Sequence, residues 1–186
     1  MTVQTTDNEE QLVQLFRQGS PLAMERLYAG YASYLTGVCA RYVTGDADLA
    51  DVLQESFIKI YTQLERFSYR GPGSLRAWMA RIVVNESLQL LRRQKREGTV
   101  VLNTDLPDLP DEDPDTEGLP PEAVMTLLRR LPEGYRTVLN LYVIEGRSHK
   151  EIGQLLGIRP DSSASQLHRA KNMLAHLINE YKKGKS

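Results

Sequence analysis

Between residues 8 and 96 apolar side chains return every three or four positions, broken mainly by Gly, Ser and Pro. That period is helical. A short first helix is predicted over 9–17, stopped by Gln18-Gly19-Ser20-Pro21, where Ser20 can N-cap a second helix with Pro21 at its first position. The second helix runs to about Val43. Asp46 is expected to cap a third, with Leu49, Val52, Leu53, Phe57, Ile60 and Leu64 in one stripe. A Gly/Pro loop over 67–74 leads into a fourth helix over 75–96.

The helical period stops over 98–122, which holds Pro107, Pro110, Pro114, Pro120 and Pro121. Such a segment cannot bury enough apolar surface to order itself and is expected to be an extended linker. Beyond it the period returns over 122–130, 133–144, 148–156 and 161–181, with short turns at Pro132, Gly146 and Gly157. Strand-like alternation is found in neither half. The pattern therefore predicts an all-α fold: two small helical domains, residues 1–97 and 122–186, joined by a flexible linker over 98–121.

Charge sharpens this division. The total is −1 over 186 residues, yet residues 1–50 carry 3 basic and 6 acidic side chains, 51–97 carry 9 and 5, 98–122 carry 0 and 8, and 123–186 carry 11 and 5. Two basic segments flank an acidic strip. A phosphate backbone responds to local charge over a Debye length of about 8–10 Å, so nucleic acid remains open as a partner despite the neutral total. No apolar run approaches the ~18–20 residues of a membrane span, and the start is acidic and polar, so a cytoplasmic protein without membrane insertion is expected. Cys39 is the only cysteine, which excludes an intrachain disulfide and a cysteine-based metal site. It is expected to be buried as a small apolar residue, and no cofactor or metal is expected.

Two stretches carry candidate chemistry. Residues 148–158 have helix-turn-helix spacing: Ile152, Leu155 and Leu156 face inward, Gly157 supplies the turn and Ile158 fills the angle between the helices. Asp161 or Ser162 can cap the next helix, whose inward stripe would be Ser163, Leu167, Ala170 and Leu174. Its outward positions are Ser162, Ala164, Ser165, Gln166 and Arg169, placed to reach base edges in a major groove, with Arg159 and Lys171 nearby to hold phosphates. On the fourth helix, Arg81, Asn85, Arg92 and Arg96 fall within about 60° of one another. The loop before them offers Phe67 and Tyr69 beside Arg70, a combination able to stack unpaired bases. On the third helix Asp48, Asp51, Gln54 and Glu55 form a polar face opposite the apolar stripe.

The ordered set Asp51-Val-Leu-Gln-Glu-Ser-Phe57, Arg70-Gly-x-x-Ser-Leu-x-x-Trp78, Arg81-Ile-x-x-Asn85, a basic helix end, Leu131-Pro-Glu-x-Tyr-Arg136 and a helix-turn-helix ending Leu167-His-Arg-Ala170 resembles the extracytoplasmic-function sigma factors of bacterial RNA polymerase, within the sigma-70 family. The resemblance spans residues 20–182. It implies a dissociable promoter-specificity subunit and not an enzyme, with core RNA polymerase and promoter DNA as partners and an anti-sigma factor as a possible regulator. Asp48, Asp51, Gln54 and Glu55 would dock the clamp coiled coil of the largest polymerase subunit. Phe67, Tyr69, Arg70, Arg81, Asn85, Arg92 and Arg96 would melt and read the minus-ten element. Arg159, Ser162, Ser165, Gln166, Arg169 and Lys171 would hold the minus-thirty-five duplex, and the acidic linker would thread the polymerase cleft.

The chain departs from the family pattern at Ala50, where a glutamate is common, and at Ser163, Ala164 and Gln166, where a valine and two basic residues are usual. A buried Ser163 should bond back to a carbonyl of the preceding turn. The alternative to a sigma factor is a helix-turn-helix regulator acting on duplex DNA without being a polymerase subunit. A helix-bundle enzyme is disfavoured, because His149, His168 and His176 lack carboxylates at metal-binding spacing.

Overall fold

The computed structural model of the protein describes residues 9–96 and 109–184, and among these every regular element is helical. The helices are α1 (Glu9–Arg17), α2 (Leu22–Cys39), α3 (Asp46–Leu64), α4 (Ser74–Arg96), α5 (Pro121–Arg129), α6 (Glu133–Leu139), α7 (His149–Leu156) and α8 (Pro160–Lys183), with a π-helical segment, Asn140–Ile144, continuing α6. The chain divides into two compact units, Met1–Leu90 and Leu91–Ser186.

The first unit packs Leu12 and Val13 of α1, Leu27 and Leu35 of α2, Ile60 and Leu64 of α3, and Leu75, Met79 and Val83 of α4 into one core. Small side chains let the helices approach: Cys39, fully buried, lies with its Sγ 3.7 Å from Ser87 Oγ, and burial pushes its thiol pKa up. The Ser56 hydroxyl donates a hydrogen bond to the Val52 carbonyl within its own helix, which satisfies a polar group without a partner from outside. A Lys59–Glu86 ion pair of 2.7 Å ties α3 to α4.

One buried acid organises the start of α4. Glu9 is 2% exposed, and its carboxylate accepts the backbone N–H groups of Leu75 (3.1 Å) and Arg76 (3.2 Å). These are orphan donors at a helix N-terminus, where negative charge is favoured. The Tyr31 hydroxyl donates to the same carboxylate at 3.3 Å. Burial first, and the Glu9 charge second, raise the Tyr31 pKa far above the phenol range, so the phenol remains a donor.

The second unit packs Leu127 and Leu131, Val138, Leu141, Ile152, Ala170, Leu174 and Ile178 together. Arg136 is 4% exposed inside it; its Nη1 donates to the Leu131 (3.2 Å) and Arg129 (3.4 Å) carbonyls at the end of α5. Desolvation lowers its pKa, and the carbonyls at that helix end compensate the buried charge.

Several local expectations are corrected. Pro21 already has helical dihedrals and no side chain caps α2; Ser20 contributes only its carbonyl, which accepts from Ala23. Gly45, not Asp46, is the N-cap of α3, and Asp46 joins Asp48 in the first turn, where an acid meets the dipole without closing a cap. The expected helix over 133–144 changes form at Asn140, where the Glu145 N–H reaches five residues back to the Asn140 carbonyl. Helix α8 starts at Pro160, ahead of both expected caps, because proline at the first position needs no N–H partner. Within the acidic strip, residues 111–115 rest on α8 through polar contacts, a source of order that counting apolar residues does not register.

Candidate polymerase and promoter interfaces

On α3, Asp51, Gln54 and Glu55 are exposed and Asp48 is half-buried at the first turn. Helical spacing spreads the four over about 120°, with Gln54 at one edge and Asp48 at the other. The edge with Gln54 borders an apolar groove between α2 and α3, whose lining includes Met24, Tyr28, Leu53, Phe57, Ile58 and Tyr61. Tyr28, Ile58 and Tyr61 are 58%, 50% and 52% exposed. Tyr28 leans on Phe57 with ring centroids 5.0 Å apart, and Tyr61 meets Phe16 edge-on at 5.4 Å. The groove was not anticipated from the sequence, although Ile58 and Tyr61 break the polar side of α3 and were its available signal. The expected single stripe is correspondingly split: Val52, Ile60 and Leu64 are buried, whereas Leu49, Leu53 and Phe57 are half-buried and line the groove.

The loop before α4 is fixed by its backbone. Gly71 and Gly73 have φ of 107° and 83°, a region side chains disfavour, and the Arg70 N–H donates to Ser74 Oγ at 3.2 Å. Phe67 is buried against Trp78, centroids 5.0 Å apart, and its carbonyl accepts from Arg17 at 2.8 Å. Phe67 therefore holds the loop from below and offers no free face, while Tyr69 is half-buried and Arg70 exposed. Arg81, Asn85, Arg92 and Arg96 are all exposed on α4. Arg76 is drawn aside over the Tyr34 ring, 3.9 Å from its centroid.

In the second unit, α7 opens with a capping box. The Glu151 N–H donates to Ser148 Oγ (3.3 Å), and the Glu151 carboxylate accepts the Ser148 N–H (2.9 Å). Those bonds from Ser148, with the Arg147 guanidinium 3.2 Å away, hold the Glu151 carboxyl below the ordinary carboxylate range. The turn has two glycine requirements. Gly157 takes a left-handed φ of 65°, as its place after α7 suggests. Gly153 was missed: a Cβ there would stand 2.7 Å from the Ile158 carbonyl oxygen. The Ile158 N–H donates to the Gly153 carbonyl at 3.1 Å, so the chain folds back directly over this residue.

The inward stripe of α8, Ser163, Leu167, Ala170 and Leu174, is buried throughout. Ser163 does not bond to the preceding turn; its Oγ lies 3.0 Å from His149 Nδ1, a partner supplied by the first residue of α7. His149 in turn stacks on Tyr142 at 4.8 Å. The serine thus joins the two helices of the motif, where the usual valine would only fill space. On the outer side, Ser162 and Gln166 are half-buried and Ser165 and Arg169 exposed, within about 100° of each other. Arg159, the N-cap residue, meets Asp161 at 3.4 Å, and Arg169 Nη1 donates to Tyr135 Oη at 3.5 Å. Lys171 stands apart: nine residues beyond Ser162, it faces about 180° away and pairs with Asp113 at 2.9 Å.

Two compact helical units, with a helix-turn-helix in the second and a basic face along α4, are the organisation that the family comparisons identify as that of the sigma-70 class. The Sigma-70 region 2 family model matches residues 27–97, and the Sigma-70 region 4 model matches residues 121–174. The chain is 32% identical to the ECF RNA polymerase sigma-E factor of Haemophilus influenzae over 190 residues, covering 96% of this chain and 98% of that one. It is 31% identical to the RNA polymerase sigma factor CarQ of Myxococcus xanthus, covering 89% and 94%. The solved structure of CnrH in complex with the cytosolic domain of CnrY shares the fold, with a TM-score of 0.51 at 24% identity over 94% of this chain and 99% of that one. The chain belongs to the ECF RNA polymerase sigma factors. It is an alternative sigma factor, a regulatory subunit that binds core RNA polymerase and directs promoter-specific transcription initiation. Among the described residues no helix is long and apolar enough to cross a membrane.

Proposed function

We propose that this sigma factor engages its partners through three surfaces, in an N-terminal domain of residues 1–97 and a C-terminal domain of residues 122–186. Core polymerase docks on α3, where Asp51, Gln54 and Glu55 are exposed and Asp48 flanks them. The adjacent groove extends that contact, because exposed tyrosines beside apolar walls are the usual anchors of an interface. The minus-ten element, as single strand, lies along α4 against Arg81, Asn85, Arg92 and Arg96, with Tyr69 and Arg70 at the loop and Phe67 positioning them from below. The minus-thirty-five element, as duplex, receives the start of α8, with Ser162, Ser165, Gln166 and Arg169 toward the base edges and Arg159 toward phosphate.

The observation that supports this assignment is that the chain presents two polar surfaces of different kinds. One pairs cations with an aromatic-flanked loop, which suits unstacked bases; the other is a helix end held by a tight turn, which suits a major groove. The protein acts where the polymerase is, in the cytoplasm, and an anti-sigma partner would act by covering one of these surfaces.

Co-elution of the pure protein with core polymerase, followed by run-off transcription on genomic fragments, tests the assignment. The expected result is a stable complex that starts at a specific promoter. Polymerase-independent binding of duplex promoter by a dimer, with no gain of initiation, would point instead to an ordinary helix-turn-helix regulator.

A further inference from the structure

Helix α8 has three sides. One is the core stripe and one the groove-reading face; the third carries His168, Lys171, Asn172, Asn179 and Lys182 and is about 120° from each. This third face is occupied by the chain's own residues 111–115. Asp113 pairs with Lys171 at 2.9 Å and Asp115 with Lys182 at 2.8 Å, while Asp111 Oδ1 lies 3.7 Å from His168 Nδ1. Asn179 Nδ2 donates to both Glu112 carboxylate oxygens, at 3.0 and 3.1 Å, and the Glu112 backbone N–H donates to Asn172 Oδ1 at 3.4 Å. Lys182 donates to Asp115, which holds that carboxyl below its ordinary range. Each of these exposed ion pairs is weak alone. Together they seat one short segment in one register, with every acid in it engaged.

The chemistry of the covered face is that of a polyanion site: two ammonium groups, an imidazole and two amides spread along the helix. A peptide partner would need apolar anchors, whereas a phosphate backbone binds through spaced cations alone. We propose that this third face of α8 is a second phosphate-binding surface, kept closed by the acidic segment 111–115 so that the free protein offers duplex DNA only its groove-reading face. The segment is a strap that suppresses misoriented, sequence-independent binding. This rests on the assignment of the C-terminal domain to promoter duplex.

The test measures binding of a labelled random-sequence duplex to the full-length protein by fluorescence anisotropy across a salt series. The strap variant D111N/D113N/D115N is expected to bind about tenfold more tightly at low salt, and its plot of log K against log salt to steepen by about 1.8 as Lys171 and Lys182 become available to two phosphates. The variant E25Q/E65Q/E122Q removes the same charge at exposed acids outside the strap and is expected to leave the slope unchanged. Adding Lys171→Ala and Lys182→Ala to the strap variant should abolish the gain. Equal effects of the two charge-neutralised variants, or a gain that survives loss of the lysines, overturns the proposal. Run-off transcription with wild-type holoenzyme separates the two levels: normal initiation with no strap effect removes only the strap, whereas absent initiation removes the parent assignment.

Discussion

Gly153 and Glu151 set the geometry of the helix-turn-helix before any DNA is present. At Gly153 the obstacle to a side chain is a backbone oxygen, 2.7 Å from where a Cβ would sit, and it cannot rotate away as a side-chain tip could. Gly153→Ala is therefore expected to cost about 1–3 kcal/mol, the range for overpacking a tight site, and urea denaturation of the C-terminal unit would measure it. Glu151 links the same motif to pH. Its folded-state pKa is depressed, so its contribution is fully present above the unfolded value of about 4.3 and is lost as pH falls through the lower folded value. Amide protection at the start of α7, taken against the intrinsic exchange rate at each pH, should stay constant from neutral pH to about 5 and fall below about 4. In Glu151→Gln, which can still close a capping box, that acid limb should flatten.

At the scale of elements, substitution separates docking from promoter opening. Gln54→Ala or Glu55→Ala is expected to weaken core polymerase binding in a titration while circular dichroism stays unchanged. Arg81→Ala with Asn85→Ala is expected to slow open-complex formation, read by permanganate footprinting, with docking affinity intact. The reverse pattern would exchange the two faces. What the residue pattern made legible follows the same division. Helix α1 was placed end to end because a glycine, a serine and a proline close it on one side. The inward stripe of α8 was legible because its buried face is regular. The groove between α2 and α3 was not, since Ile58 and Tyr61 gain meaning only when α2 is beside them. The π-helical step at Asn140 leaves no trace in periodicity, because the helix ends at Ile144 and too few residues follow the step to display a shifted register. Lys171 was expected on the phosphates beside the start of α8 through nearness in sequence, and only the turn of the helix carries it to the other side.

At the scale of the whole molecule, two units with separate cores are predicted to unfold separately. Calorimetry should resolve two transitions; Gly153→Ala should lower only one of them, and Glu9→Ala only the other, by about 1–2 kcal/mol for a lost cap. A single transition displaced by both substitutions would show the units to be one cooperative body. Joining the two proposed DNA contacts in one chain would raise the effective concentration of the second once the first has formed, so that neither surface need be strong. The carboxylate at the base of α4 has a practical consequence for anyone shortening the chain. Because the group that finishes that helix comes from the ninth residue, an expression clone begun at position 11 would leave two amide hydrogens and a phenol facing a vacant acceptor. Its first symptom would surface far from the cut, as a looser start to the helix that we propose to hold melted promoter.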